Sequence, residues 1–400
     1  MATFLLVVIY MAFISLGLPD ALLGSAWPVM HLSLSVSLGS AGILSVITSI
    51  GTILSSFMSG KVIGRFGTGK VTMVSVLLTA FALLGFSLSP NIWFLMAMAI
   101  PLGLGAGSVD AALNNFVALH YEARHMSWLH SFWGVGATLG PMIMALSISK
   151  GESWKIGYKT VAIIQLTLVV VLFLTLPLWK RYEKNEGIVV KEEEKDEKAK
   201  NAFRIPGVKF ALLTFFSYTA LESTTGLWGS SYLVVNRGIT PEAAARFISL
   251  YYGGITLGRF VTGFLTMKFK SRSLIRTGIL LVTTGVLFIL FPLPNYMAIL
   301  GFILIGLGCA PVFPGMIHET PARFGKANSQ SVVGIQMAFA YMGNTFMPAL
   351  FGLLGGGGRT FIFPFYLLIL VGILLFASER LNLMMRRRKL PVTDEEKLIV

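Results

Sequence analysis

Asp20, Asp110, Glu222 and Arg259 lie deep inside stretches that are otherwise almost free of charge. An ionisable side chain at the centre of a bilayer costs about 2.5–3.5 kcal/mol on insertion scales, so it is kept mainly where it faces protein or a water-filled path. A low dielectric favours the neutral form of a carboxyl group, which suits it to load and release protons. Asp20 and Asp110, both in the first half of the chain, are expected to form a proton-coupling pair. Glu222 reads equally as a hydrogen-bond acceptor for a bound solute or as a partner of Arg259. Arg259 itself, in Gly258-Arg259-x3-Gly263, is expected to serve structure or charge pairing. No residue is assigned a catalytic role and the chain is not expected to be an enzyme. The lone Cys309 and five scattered histidines do not supply a disulfide framework or a metal site, and no cofactor is expected.

A second set of residues fits a polyhydroxylated solute, which presents apolar ring faces and many hydroxyls. Such a solute needs aromatic platforms beside groups that both donate and accept hydrogen bonds. Trp27, Trp133, Trp228, Tyr232, Tyr251 and Tyr252 are the candidate platforms, with helix packing or an interfacial belt as the alternative for each. Asn114, Asn115, Gln165, Gln336 and Asn344 are the candidate amides. Asn114 stands one turn from Asp110, and Gln336 and Asn344 share one apolar segment. His130 is a further candidate, able to titrate near neutral pH or simply to bond a helix end.

The elements that must position these groups follow from composition. The chain has 400 residues, of which 55% are hydrophobic and 12% charged, with a mean hydropathy of +0.76, whereas soluble domains are about 25% charged. Uncharged runs of 40 residues between Asp20 and Lys61, 39 between Lys70 and Asp110, 42 between Arg276 and Glu319, and 32 between Lys326 and Arg359 each exceed the roughly 20 needed for one crossing. Splitting them at turn signals predicts an all-α integral membrane protein with twelve spans. The first six lie near 4–30, 39–59, 71–89, 92–118, 128–149 and 156–179. The other six lie near 207–235, 243–267, 274–291, 295–318, 328–354 and 359–379.

The formal charge of +14 arises from short loops between these runs, so it reads as topology and not as a nucleic-acid surface. Alternate connections and the C-terminal tail hold 25 of the 32 lysines and arginines, against six on the other side. That bias places both termini in the cytoplasm of a multi-pass protein of the plasma membrane. The first run lacks a basic leader and a small-residue cleavage site, so it is read as a retained helix. Residues 180–206, with KEEEKDEKAK at 191–200, form a charged cytoplasmic linker between six-helix bundles at 1–179 and 207–379, and 380–400 form a basic tail. Gly103-Leu104-Gly105-Ala106-Gly107 lies within a span and lacks the strand and Lys-Ser/Thr of a phosphate loop, so its glycines are read as helix-packing residues.

The two halves echo each other at a spacing of about 203 residues. Asp20-x3-Gly24-x2-Trp27 answers Glu222-x3-Gly226-x-Trp228, Gly103-Leu104-Gly105 answers Gly306-Leu307-Gly308, and Phe132, Gly136 and Pro141 answer Phe339, Gly343 and Pro348. Twelve spans, a central charged linker and two parallel halves resemble the major facilitator superfamily. That resemblance implies a solute site near the midplane between two pseudo-symmetric bundles, exposed alternately to each side. In the loop after span two, Gly60-x3-Gly64-Arg65-x-Gly67-x2-Lys70 resembles the superfamily signature with glycine at its acidic position.

Three segments resemble the fucose–proton symporter family more closely. They are Asp110-Ala-Ala-Leu-Asn114-Asn115-Phe116-Val117, Gly308-Cys309-Ala310-Pro311-Val312-Phe313-Pro314, and Leu129-His130-Ser131-Phe132-Trp133-Gly134. The resemblance implies protonation and substrate roles for Asp20 and Asp110. Gly17 stands where fucose-carrying members have asparagine, so fucose itself is not implied. The expected function is proton-coupled symport of a sugar or related solute by a functional monomer. The rivals are a proton-coupled drug or metabolite exporter and a nontransporting sensor or scaffold.

Overall fold

A computed structural model of the chain describes residues 2–121, 123–149, 153–184, 203–356 and 358–387. Among these residues the regular structure is entirely helical, as a bilayer demands of a chain that must satisfy every backbone polar group internally. In order the helices are α1 (Ala2–Asp20), α2 (Leu22–Ser33), α3 (Ser40–Phe66), α4 (Thr68–Leu88), α5 (Ile92–His120), α6 (Ala123–Ser149) and α7 (Trp154–Lys184). The second half contributes α8 (Val208–Arg237), α9 (Pro241–Leu265), α10 (Ser271–Leu290), α11 (Asn295–Cys309), α12 (Val312–Phe324), α13 (Lys326–Gly355) and α14 (Phe363–Arg387).

Helices occupy every position where a span was expected, but two of those spans are broken. The first divides into α1 and α2 immediately after Pro19-Asp20, and the tenth divides into α11 and α12 at Ala310-Pro311. Each break lies beside a proline, Pro19 or Pro311, whose missing N–H weakens the ladder there, although Pro28, Pro101, Pro141, Pro177 and Pro348 sit inside unbroken helices. Nine helical segments are long and apolar enough to cross a bilayer among the described residues. Helices α8 and α9 are not among the nine, and α3 contributes a shorter apolar stretch, Ser40–Ser56, within the described residues, so twelve crossings remain an expectation. The KEEEKDEKAK stretch and residues 388–400 lie outside the described residues, while α7 and α14 run past the helix ends expected at 179 and 379.

Helices α1 to α7 pack on one another, and so do α8 to α14. The contacts between the two groups are made mainly by α2 with α8, α3 with α13, and α6 with α9. Numbered as spans, these are one with seven, two with eleven, and five with eight. Exchanging the halves turns the second pair into the third and leaves the first unchanged, which is the pattern a duplicated chain gives across a pseudo-twofold axis.

The seam is tightest on the side away from the termini. A Cβ at Gly24 would lie 2.2 Å from the carbonyl oxygen of Gly226, and one at Gly39 would lie 2.6 Å from that of Gly352. Ser249 Oγ donates to the Thr138 carbonyl at 2.8 Å. Asp20 and Glu222 each sit one helical turn from the Gly24–Gly226 crossing, on its terminal side. The closed end of the seam therefore lies directly beyond the carboxylates.

Candidate functional site

Packing of α1 against α6 creates the first half of the site. A Cβ at Gly17 would lie 2.1 Å from the Trp133 carbonyl oxygen, so only glycine permits the two backbones to approach this closely. This approach brings the Trp133 indole to Asp20, where Nε1 donates to Oδ2 at 2.7 Å. It also explains the departure at Gly17: the volume of an asparagine is occupied by α6.

Asp110, on α5, lies within electrostatic reach of Asp20. Its Oδ1 accepts a hydrogen bond from Asn114 Nδ2 at 2.9 Å, and the same amide reaches the Asp110 carbonyl at 3.0 Å. Asp20 is exposed and Asp110 half-buried, although both belong to helices at the centre of the molecule. His130, one turn before Trp133, is exposed too and meets Phe13 edge-to-face with ring centroids 5.8 Å apart. These groups, carried by α1, α5 and α6, therefore keep access to solvent at Asp20 and His130.

The second half of the site is built on α8 and α9. Arg259 pairs with Glu222 at 3.5 Å, so charge pairing describes its placement. Its guanidinium carbon also lies 5.3 Å from the centre of the Trp133 ring, a cation–π contact made across the seam. Trp133 thus holds the carboxylate of one half with its N–H and covers the cation of the other half with its face. Tyr252 completes the junction, with its ring centroid 6.5 Å from that of Trp133. Tyr251, fully buried beside it, donates to the Glu222 carbonyl at 2.9 Å and fixes the Glu222 backbone.

Several expected solute contacts have their polar atoms committed elsewhere. Gln165 is buried, with Nε2 donating to the Ser15 carbonyl at 2.8 Å and Oε1 accepting from Thr79 at 2.9 Å. Ser15 is four residues before Pro19, so its carbonyl has no helical donor, and Gln165 supplies the missing one. Trp27 Nε1 donates to the Leu38 carbonyl at 2.6 Å, closing the turn between α2 and α3. Trp228 Nε1 donates to the Pro348 carbonyl at 2.8 Å, and the Tyr232 hydroxyl to the Ile289 carbonyl at 3.1 Å. Gln336 is buried against α12, where its Oε1 accepts from Thr320 at 3.1 Å while its Nε2 has no hydrogen-bond partner among the described residues. Asn344 is exposed on α13. The Asn115 side chain lies outside the described residues.

Two tyrosines join the site that the sequence did not single out. Tyr341, on α13, interacts electrostatically with Asp110 from the opposite half, and Tyr218, on α8, does so with both Glu222 and Arg259. Tyr218 precedes Glu222 by one helical turn, a spacing readable in the sequence. Tyr341 is placed only by the docking of the two halves.

Comparison with known proteins agrees with this architecture. The family model described as Major Facilitator Superfamily matches residues 9–245 and 210–397. The chain is 23% identical over 376 residues to Bypass of stop codon protein 6 of Saccharomyces cerevisiae, covering 86% of this chain and 75% of that one. It is also 23% identical over 317 residues to the Glucose/mannose transporter GlcP of Bacillus subtilis, covering 76% and 77%. Among solved structures, the nucleoside transporter NupG superposes with a TM-score of 0.76 at 14% identity, covering 94% of this chain and 98% of that one. The helical pairing across a pseudo-twofold seam and the family match over nearly the whole chain lead to one conclusion: this protein belongs to the Major Facilitator Superfamily, as a multi-pass secondary transporter of small solutes.

Proposed function

We propose that the protein is a proton-coupled symporter of a sugar or similar polyhydroxylated solute, working as a monomer in the plasma membrane with both termini cytoplasmic. The observation that carries this reading is the hydrogen bond from the Trp133 indole to the exposed Asp20 at the seam, with the hydrogen-bonded Asp110–Asn114 pair within electrostatic reach of Asp20. Carboxylates supply the proton sites, and acceptor, amide and aromatic groups side by side match the hydroxyls and ring face of a sugar. The likeness to a glucose/mannose transporter supports the same substrate class.

The halves meet beyond Asp20 and Glu222 on the side away from the termini while Asp20 stays exposed, which supports access to the site from the terminal side. Protonation neutralises Asp20 and lowers the cost of closing apolar helices over it, while solute binding favours the same closure. Uptake of radiolabelled hexoses, polyols and hydrophobic cations into proteoliposomes tests the substrate class. Saturable hexose or polyol uptake supports it. Movement of hydrophobic cations alone would favour an exporter, and failure to move any solute would favour a sensor.

A further inference from the structure

We propose that Glu222, by occupying Arg259, makes the seam site reject anionic solutes, so that it takes the neutral member of a chemically matched pair. The inference rests on the proposed solute site and adds its charge selectivity. Arg259 is the one lysine or arginine that the sequence places at depth within a span, and it is therefore the group an anionic solute would seek.

That cation is already engaged. Its guanidinium lies 3.5 Å from Glu222, its central carbon sits over the Trp133 ring at 5.3 Å from the centre, and Tyr218 acts on it from α8. The Arg259 and Glu222 side chains retain 17% and 16% of their accessible surface, so a small approach path to the pair exists. Among the described residues, the other titratable groups within electrostatic reach of this cluster include Asp20 from α1, Asp110 from α5, His130 from α6, Tyr251 and Tyr252 from α9, the buried Cys309 from α11 and Tyr341 from α13. With both aspartates ionised, the cluster carries excess negative charge. With both protonated, it has no cation to spare, because Glu222 still balances Arg259. An anion is disfavoured in either state, through repulsion in the first and desolvation without a partner in the second.

Glucose and glucuronate differ by one carboxylate on the same ring, which makes them the matched probes. Binding of each to the purified full chain is measured at pH 7.5, where an ordinary histidine is largely neutral, by titration calorimetry and by the shift in melting temperature. Wild type is expected to bind glucuronate roughly a hundredfold more weakly than glucose. In Glu222→Gln the gap is expected to close to within about tenfold, because Arg259 is released. The double variant Glu222→Gln/Arg259→Gln should lose the gained glucuronate binding.

Equal binding of the two sugars by wild type overturns the proposal without needing any variant. A folded Glu222→Gln protein that binds glucose and still ignores glucuronate overturns it as well. If hexoses and polyols fail while a hydrophobic cation shifts the melt and its carboxylate counterpart does not, the sugar reading falls and the exclusion of anions stands. Silence toward every probe in wild type and variants counts against both.

Discussion

Trp133 links two charged groups that belong to different halves, so the two ends of its side chain are separable by substitution. Trp133→Phe keeps an aromatic face over Arg259 but removes the N–H held by Asp20. A hydrogen bond to a charged group contributes about 1.5–3 kcal/mol. The variant is therefore expected to lose roughly tenfold or more in solute affinity at pH 7.5, measured by titration calorimetry, while remaining folded. Unchanged affinity would show that the indole N–H does not orient Asp20 for the solute. The sequence makes the residue types of this junction legible, because Asp20, Asp110, Glu222 and Arg259 announce themselves by depth in apolar runs. It does not distinguish Trp133, which faces the seam, from Trp27 and Trp228, which close turns and helix contacts. All three are tryptophans in apolar helices, and only the position of a backbone carbonyl in another element separates them.

Among the elements, the broken first span has a specific support. Pro19 leaves the Ser15 carbonyl without its helical donor, and Gln165 fills that vacancy from α7. Gln165→Leu is expected to destabilise the protein by about 1–3 kcal/mol, as removal of a buried hydrogen-bond partner does. In a Pro19→Ala background the residue-19 N–H is restored, and the cost of Gln165→Leu should shrink. A double-mutant cycle on denaturant or thermal unfolding checks this coupling, and strict additivity would contradict the assignment. Gln165 looked like a solute partner from sequence because an amide in an apolar helix has few other uses. Its partners, Ser15 and Thr79, lie 150 and 86 residues away, and nothing local in the sequence reveals them.

Helix crossings make a second prediction at the same scale. Gly24 and Gly226 meet backbone to backbone, leaving no room for a side chain. Gly24→Val is expected to prevent this approach, reduce solute uptake at least tenfold, and lengthen the distance between spin labels placed at Leu34 and Leu353, on the side away from the termini. An unchanged label distance would show that the crossing does not set the closed state. The repeat Asp20-x3-Gly24 and Glu222-x3-Gly226 is visible in the sequence, yet the contact between its two copies follows only once the halves are docked.

Viewed across the whole molecule, the duplicated plan explains which parts of the fold the sequence exposes. Apolar runs and loop charges locate helices and halves, since hydropathy reports the solvent that each segment meets. The signal is faintest for α8 and α9, because Glu222, Arg259 and their polar neighbours replace apolar residues there. The helices least legible by hydropathy are those that carry half of the site. The close approach of the halves on the side away from the termini arises from how they dock and leaves no mark on hydropathy.

Proton coupling through Asp20 is the claim on which the rest of the mechanism depends. Proteoliposomes containing wild-type protein or Asp20→Asn, with a pH gradient imposed by buffer exchange, provide its most direct test. Wild type is expected to accumulate hexose above its equilibrium level when the compartment supplying the solute is the more acidic one. Asp20→Asn, which cannot exchange a proton at that position, is expected to equilibrate the solute without accumulating it. Wild-type accumulation that ignores the gradient, or accumulation by Asp20→Asn equal to wild type, would contradict the account.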